Sequence, residues 1–363
     1  MTTGVTFGVE EEFHLVDPVR LVPAEDAERV VAAAEALGLA VEPELQRSQV
    51  EVATGVCETL DALRAQLVSR RRAAVTAAAD AGLAVVAAGS LPAPLDLGGQ
   101  PYPRRRYERM VAEYAEVGRQ QLVCAMQTQV GVDDRDQAVA ALPLVGAWLP
   151  VLLALSASSP YFDGEDTGYA SYRSVLWSRW PSAGPPLPFA SAAAYDALVD
   201  GLIASGTVSD AGMVYFDVRP SARYPTLEVR VCDAVPLLDD AVTLAGLSRA
   251  LVLTALRSVA GGGPAFSPPR PELVRAARWR AARSGLAGVL VDPRGSAALP
   301  AREVVGALVE HVRPALDELG DTAAVLSGVE AILRRGTSAD RQRAAPDPRT
   351  ALTTLLTETH PTP

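Results

Sequence analysis

Residues 5–17, VTFGVEEEFHLVD, alternate apolar and polar side chains with the period of two that a strand imposes. Val5, Phe7, Val9, Phe13 and Leu15 point one way, interrupted only by Glu11, while Thr6, Gly8, Glu10, Glu12 and His14 point the other. Two carboxylates therefore share one face, roughly 6 to 7 Å apart. Facing the interior they repel unless a cation lies between them. A divalent ion is the simplest such cation, and hard oxygen ligands suit magnesium or manganese rather than zinc or copper. A solvated outer face of a sheet accommodates the same pattern, and this strand alone leaves both readings open.

The pattern recurs along the chain. In residues 49–54, Val50 and Val52 alternate with Gln49 and Glu51, so Glu51 is a third acid on a polar strand face. Residues 121–133 place Gln127, Gln129, Gly131 and Asp133 on one face, with Thr128, Val130 and Val132 opposite. The paired amides suit a hydrogen-bonded ladder or neutral ligands in a site. Residues 213–233 read as a hairpin whose polar face carries Asp217, Arg219, Glu228 and Arg230. Acid and guanidinium interleaved in this way suit a metal with phosphate oxygens around it, and equally a cross-strand salt-bridge ladder. If these strands form one mainly antiparallel sheet with helices on its other side, Glu10, Glu12, Glu51 and Glu228 line a single concave surface that needs about two divalent ions. Arg219, Arg230 and Arg173 would then take nucleotide phosphates.

The rest reads as helix and connection. Helices are expected over 24–37 behind Pro23, over 58–82, over 104–120, over 135–158, over 190–205 and repeatedly after Asp239, one of them carrying Arg275, Arg278, Arg280 and Arg283. The arginine run 70–72 is expected on a solvated helix face. Residues 83–89 read as a buried strand ending in the turn Gly89-Ser90-Leu91-Pro92, and 93–103 as a surface loop or a flap beside a site. The apolar run 142–158 contains Pro143 and Pro150 and falls short of the roughly 20 residues that span a bilayer, so a buried helix and no membrane are expected. No repeat or composition break divides the chain, which reads as a single domain over 1–363 with a polar tail that frays after about residue 344.

Composition narrows the chemistry. All 33 basic residues are arginine, which removes the phosphate-loop lysine, the lysine Schiff base and lysine general bases. Phosphate must be held by arginine, backbone amides or metal. A net charge of −10 disfavours nucleic acid as a partner. Cys57, Cys124 and Cys232 are too few and scattered for a disulfide framework or a zinc site, and with no evident signal peptide a cytoplasmic location is expected. The apolar helices suit core or a subunit interface, so a homo-oligomer stays open.

Six motifs in order, FGVEEEFHLVDP, VEVATGVC, VGVDDRDQAV, LSASSPYFDGEDTGYASYR, DVRPSARYPTLEVRVCD and WRAARSGLAGVLVDP, make the chain resemble the type-2 glutamate-cysteine ligases, or carboxylate-amine ligases, from residue 5 to about 340. The resemblance implies an α+β, glutamine-synthetase-like catalytic domain with a curved antiparallel sheet and helices on its outer face. It also implies ATP and Mg2+, with Mn2+ as a substitute, and small amino-acid substrates. The implied reaction phosphorylates a carboxylate, usually the γ-carboxyl of glutamate, to an acyl phosphate that an amine such as cysteine attacks. By this resemblance Glu10, Glu12, Glu51 and Glu228 are metal-binding carboxylates, joined by Gln129 through its carbonyl oxygen. Arg230 steadies the transferred phosphoryl group, Arg219 contacts ATP phosphate, and Arg173 lies near the substrate carboxylate.

The chain also departs from the family pattern. Gln127-Thr128-Gln129 stands where the family has His-x-His, Arg47 where it has a glutamate four residues before Glu51, and Leu91 where Gly-Thr-His-Pro has histidine. Gln127 and Arg47 are accordingly expected at the substrate. These departures motivate two alternatives to the glutamate–cysteine reaction: a nucleotide-binding paralogue acting as sensor or partner, and a ligase for a specialised metabolite.

Overall fold

A computed structural model describes residues 5–95, 100–261 and 267–361. Strand β1 (Phe7–Asp17) is the axis of an eight-stranded sheet. It is followed by β2 (Val22–Pro23), α1 (Ala27–Ala36), β3 (Glu42–Pro43), β4 (Gln49–Ala53), α2 (Leu60–Asp80) and β5 (Ala84–Val86). Next come α3 (Arg105–Tyr114), α4 (Glu116–Arg119), β6 (Met126–Gly131) and α5 (Arg135–Ser156). The hairpin β7 (Tyr161–Phe162) and β8 (Glu165–Asp166) leads to α6 (Tyr172–Trp177) and α7 (Ala192–Ala204), then to β9 (Val218–Pro220) and β10 (Thr226–Val229). Helices α8 (Leu238–Ala260) and α9 (Pro271–Ser284), a two-stranded sheet of β11 (Val289–Val291) and β12 (Ala298–Pro300), and α10 (Ala301–Leu319), α11 (Thr322–Arg335), α12 (Ser338–Ala344) and α13 (Pro348–Thr359) complete the chain.

The main sheet runs β3-β4-β1-β6-β10-β9, with β2 and β5 pairing against the far end of β1, and every pairing is antiparallel. The expected α+β architecture holds. Phe7, Val9, Val130, Leu227, Val229 and Val218 project from one sheet face into a core shared with α5, α8 and α10. Phe13, Leu15, Val50 and Val52 meet α1 and α2 in a second cluster. Removing these side chains from water supplies the driving force that holds sheet to helices, about 25 cal/mol per Å² of apolar surface. With that face covered, the opposite face is the one left to line a cavity.

Four expectations need revision. The helix expected over 104–120 is broken at Ala115, whose backbone takes a positive φ of 49°. The arginine run at 70–72 is not all solvated: Arg71 is fully buried against Glu11. The helix expected to be buried over 142–158 is buried, and only its length needs revision: α5 has 22 residues, enough to span a bilayer, as does α8 at 23, and both are mostly buried inside the protein. The tail after 344 does not fray. Helix α13 caps on Asp347 and buries Ala351, Leu352 and Leu355, the latter two against Val86 and Leu91 beside β5. Of the flap or loop expected over 93–103, residues 96–99 lie outside the described residues.

Candidate active site

Strand register builds the site. Across the polar face, one row runs Glu42, Glu51, Glu12, because β4 pairs both Glu42 of β3 and Glu12 of β1 with Glu51. A second pairs Glu10 with Gln127, and a third runs Gly8, Gln129, Glu228, Arg219 over β1, β6, β10 and β9. Since side chains on a strand alternate faces, every named residue in these rows projects to the same side. All of them except Gly8 line a cavity of about 620 Å³. Glu44, Tyr107, Met110, Trp177, Trp180 and Tyr215 also line it, with Arg104, Arg106, Arg223 and Arg230.

Each acid is held by particular partners. Glu12 accepts from the Ala125 backbone N–H at 2.7 Å and from Gln127 Nε2 at 3.0 Å. Glu10 accepts from Gln129 Nε2 at 3.3 Å, while Gln129 Oε1 accepts from Thr226 Oγ1 at 2.6 Å. Glu228 lies between two guanidiniums: Arg219 Nε donates to it at 3.0 Å and Arg230 Nη1 also donates to it. Arg219 Nη2 also donates to Glu228, at 3.2 Å, and Nη1 donates to the carbonyls of Gly212 and Val214. Arg230 Nη1 also donates to Gln127 Oε1, and its buried Nε has no partner. The salt-bridge ladder and the cavity wall are thus the same structure.

Crowding in a desolvated place shifts Glu10, Glu12, Glu44 and Glu51 in one direction. Burial, then the neighbouring Glu44 charge, pushes Glu12 up to about 7. Burial and the Glu44, Glu10 and Glu12 charges push Glu51 well above its ordinary value. Glu10 and Glu44 are raised for the same first reason. Glu44 and Glu51 interact directly, and the Glu44 charge is the largest contribution after burial to the rise at Glu51. Burial, reinforced by the Arg219 charge, lowers Arg230 to about 9.

This donor set fits magnesium or manganese. Glu10, Glu12, Glu44, Glu51 and Glu228 offer hard oxygens, and no cysteine or histidine lines the cavity. A bound divalent ion would relieve the repulsion that burial now resolves with protons. Among the described residues no three potential ligands are already closed on one point. The acids are spread along the cavity, with Glu10, Glu12 and Glu228 each on its own protein partners.

The structure brings together Glu10, Glu12, Glu51, Glu228, Gln127, Gln129, Arg219 and Arg230. It places four other residues elsewhere. Arg47 does not line the cavity; its guanidinium pairs with Glu28 at 2.8 Å. Arg173 is buried behind the sheet edge, donating to the carbonyls of Arg230 and Val231 at 3.1 and 3.2 Å. Asp217 turns away from the hairpin face towards Arg278, 3.5 Å away. Leu91 packs among Val16, Val86 and Leu355, outside the cavity. Sequence reasoning missed two acids, Glu42, which pairs with Glu51, and Glu44. Glu44 precedes Leu45 in an irregular segment with no alternation to mark it, and only its spacing to Glu51 on the neighbouring strand could have flagged it.

Comparison with known proteins places this architecture in a class. The fold is that of a glutamate–cysteine ligase from Francisella tularensis solved in complex with AMP, with a TM-score of 0.72 at 11% identity over 99% of this chain and 90% of that one. A bifunctional glutathione synthetase from Pasteurella multocida gives a TM-score of 0.69 at 17% identity, over 99% of this chain and 52% of that one. The chain belongs to glutamate–cysteine ligase family 2, whose description matches residues 6–351. A Frankia alni relative named "Putative glutamate–cysteine ligase 2-2" is 47% identical over 95% of this chain and 93% of its own length. A Mycolicibacterium smegmatis protein of the same name is 47% identical, over 96% of this chain and 88% of its own. The chain spans less than half the length of other relatives, 42% of one from Frankia alni and 39% of one from Frankia casuarinae.

Proposed function

We propose that this protein is an ATP- and magnesium-dependent carboxylate-amine ligase, with glutamate and cysteine as its default substrates. The observation that carries the reading is the cavity lining itself, where strand register sets Glu10, Glu12, Glu51, Glu228 and Arg219 on one face and Glu44 and Arg230 lie beside them. Divalent ions bound to Glu10, Glu12, Glu44, Glu51 and Glu228 would neutralise phosphate oxygens as charge moves between them. Arg230, with a free buried Nε, is the donor for the phosphoryl group in transfer, and Arg219 stiffens the ladder through Glu228 while facing the same phosphates. Gln127 bridges Glu12 and Arg230, so it orients the acid and the guanidinium together. Gln129 donates its amide N–H to Glu10 and accepts from Thr226 on its carbonyl oxygen, whose second lone pair stays available to a metal. A substrate carboxylate oxygen attacks the γ-phosphorus and ADP leaves. The amine then attacks the acyl carbon, inorganic phosphate leaves, and the amine proton passes to solvent.

The test mixes purified protein with ATP, Mg2+, glutamate and a panel of amines and follows ADP and phosphate release. Turnover that needs both glutamate and an amine supports the reading, and its loss in Glu51→Gln ties it to this cavity. Folded protein that stays silent across a broad panel of carboxylates and amines rejects it. Magnesium-dependent ATP binding without turnover would favour the sensor alternative, and Gln127→His would then restore part of the activity.

A further inference from the structure

Asp233 lies just beyond β10 with no access to solvent and outside the cavity lining, yet its carboxylate accepts three hydrogen bonds. Its Oδ2 accepts from the Ser158 backbone N–H at 3.0 Å and from Ser159 Oγ at 2.7 Å; its Oδ1 accepts from Ser171 Oγ at 2.8 Å and faces Arg173 Nη1 at 3.5 Å. Ser159 Oγ in turn accepts from the Arg173 backbone N–H at 3.0 Å. We infer that Asp233 and Arg173 act as one positioning unit that fixes Arg230 and Glu12 from behind the sheet, and that Arg173 does not contact substrate.

Two routes lead from this unit to the cavity. In the first, Arg173 clamps the carbonyls of Arg230 and Val231, which sets the direction in which the Arg230 side chain leaves the strand. In the second, Ser158 Oγ accepts from the Gly89 N–H at 2.7 Å, Gly89 O accepts from the Cys124 N–H at 3.1 Å, and the next residue, Ala125, donates its N–H to Glu12. Gly89 has no room for a side chain, because a Cβ there would lie 2.7 Å from Asp233 Cγ and 2.9 Å from Ser159 Cβ. The turn at Gly89 therefore docks directly onto Asp233. A buried acid with this many donors and one guanidinium is rigid, and a rigid support is what a phosphoryl-transfer site built on placement requires.

The inference rests on the ligase reading for its kinetic arm only. Asp233→Asn sets an amide donor against one of the serine or backbone donors and removes the charge facing Arg173. The expected kcat falls about 100-fold, as misplacement of reacting groups costs, while KM for the carboxylate substrate stays within about threefold. Arg173→Gln gives the same split, and the double variant loses little more than either single one, as members of a unit do. Hydrogen exchange measured by mass spectrometry supplies the second readout: segments 122–127 and 226–233 exchange faster in Asp233→Asn than in the wild type, with remote helices unchanged. Ser171→Ala, which keeps every charge, shows the same segments loosened to a lesser degree and serves if Asp233→Asn does not fold. Unchanged exchange in both segments overturns the inference. So does Arg173→Gln with a raised carboxylate KM and retained kcat, the mark of a substrate contact. A wild type without turnover rejects the ligase reading instead, and the exchange data then still decide the positioning role.

Discussion

Arg71 and Glu11 meet inside the protein as a bidentate pair, Nε 3.0 Å and Nη2 2.6 Å from the two carboxylate oxygens, with neither side chain exposed. The guanidinium also donates to the carbonyls of Val235 and Pro236, so α2 is tied to β1 and to the segment entering α8. Removing one partner leaves a buried charge without compensation. Arg71→Ala should lower stability by about 3–5 kcal/mol, whereas Glu11→Leu with Arg71→Met should recover much of it. Denaturant unfolding of the three proteins checks this, and an Arg71→Ala cost under about 1 kcal/mol would contradict it.

The carboxylate row creates a conflict between stability and binding. Glu51 is held well above its ordinary range first by burial, then by Glu44, Glu10 and Glu12. Without divalent ions, Glu51→Gln should therefore raise the melting temperature at pH 8 by a few degrees, roughly 1 kcal/mol or more. With saturating Mg2+ and ATP the order should reverse, because the wild type gains binding energy that the variant lacks. Thermal scans with and without Mg2+ and ATP test it; a variant less stable than wild type in metal-free buffer would not fit.

His14 supplies a pH dependence of definite sign. Burial lowers its imidazole from 6.5 to about 4, against backbone hydrogen bonds at Ala88 and Gly89 that oppose the shift. The unfolded chain thus binds the proton first. His14's contribution is complete above about pH 6.5 and is lost as pH falls towards 4, about 3 kcal/mol at most. Glu12, raised by the same burial, slopes the opposite way between 4.5 and about 7. The clean quantity is therefore wild-type stability minus that of His14→Leu, which should fall on acidification through this window. A difference independent of pH from 7 to 4 would refute the assignment.

Helix α13 is part of the core. Leu352 and Leu355 are buried with Val86 and Leu91, and Thr359 Oγ1 accepts from the Ala87 N–H at 3.0 Å. Leu355→Ala should cost about 2–4 kcal/mol. A chain ending at Ala344 should expose this patch, bind a hydrophobic dye and melt at lower temperature. Equal stability of the truncated and full chains would show that α13 is dispensable.

The two kinds of residue at the site differ in how readable they were. Glu10, Glu12, Glu51 and Glu228 lie on strands, where alternation is a local property and parity marks a polar face directly. Glu44 lies in a segment without a period, and Arg71 is one of three consecutive arginines spread around a helix. No local rule says which of the three points inward. The tail misled for a related reason: its polar residues dominate the composition, while the apolar pair at 352 and 355 is a short helical stripe that needs β5 opposite it to be recognised.

By itself the sequence determined the parity of the acids, the family-wide order of motifs and the reliance on arginine in a chain without lysine, since each is a property of neighbours in the chain. Tertiary structure alone decided that Glu44 completes the acidic wall, that Arg47 leaves it for Glu28, and that Arg173 grips the backbone of Arg230 from behind. Those outcomes depend on which strand lies beside which and on how much water the packing removes. Both are set by contacts between residues far apart in sequence.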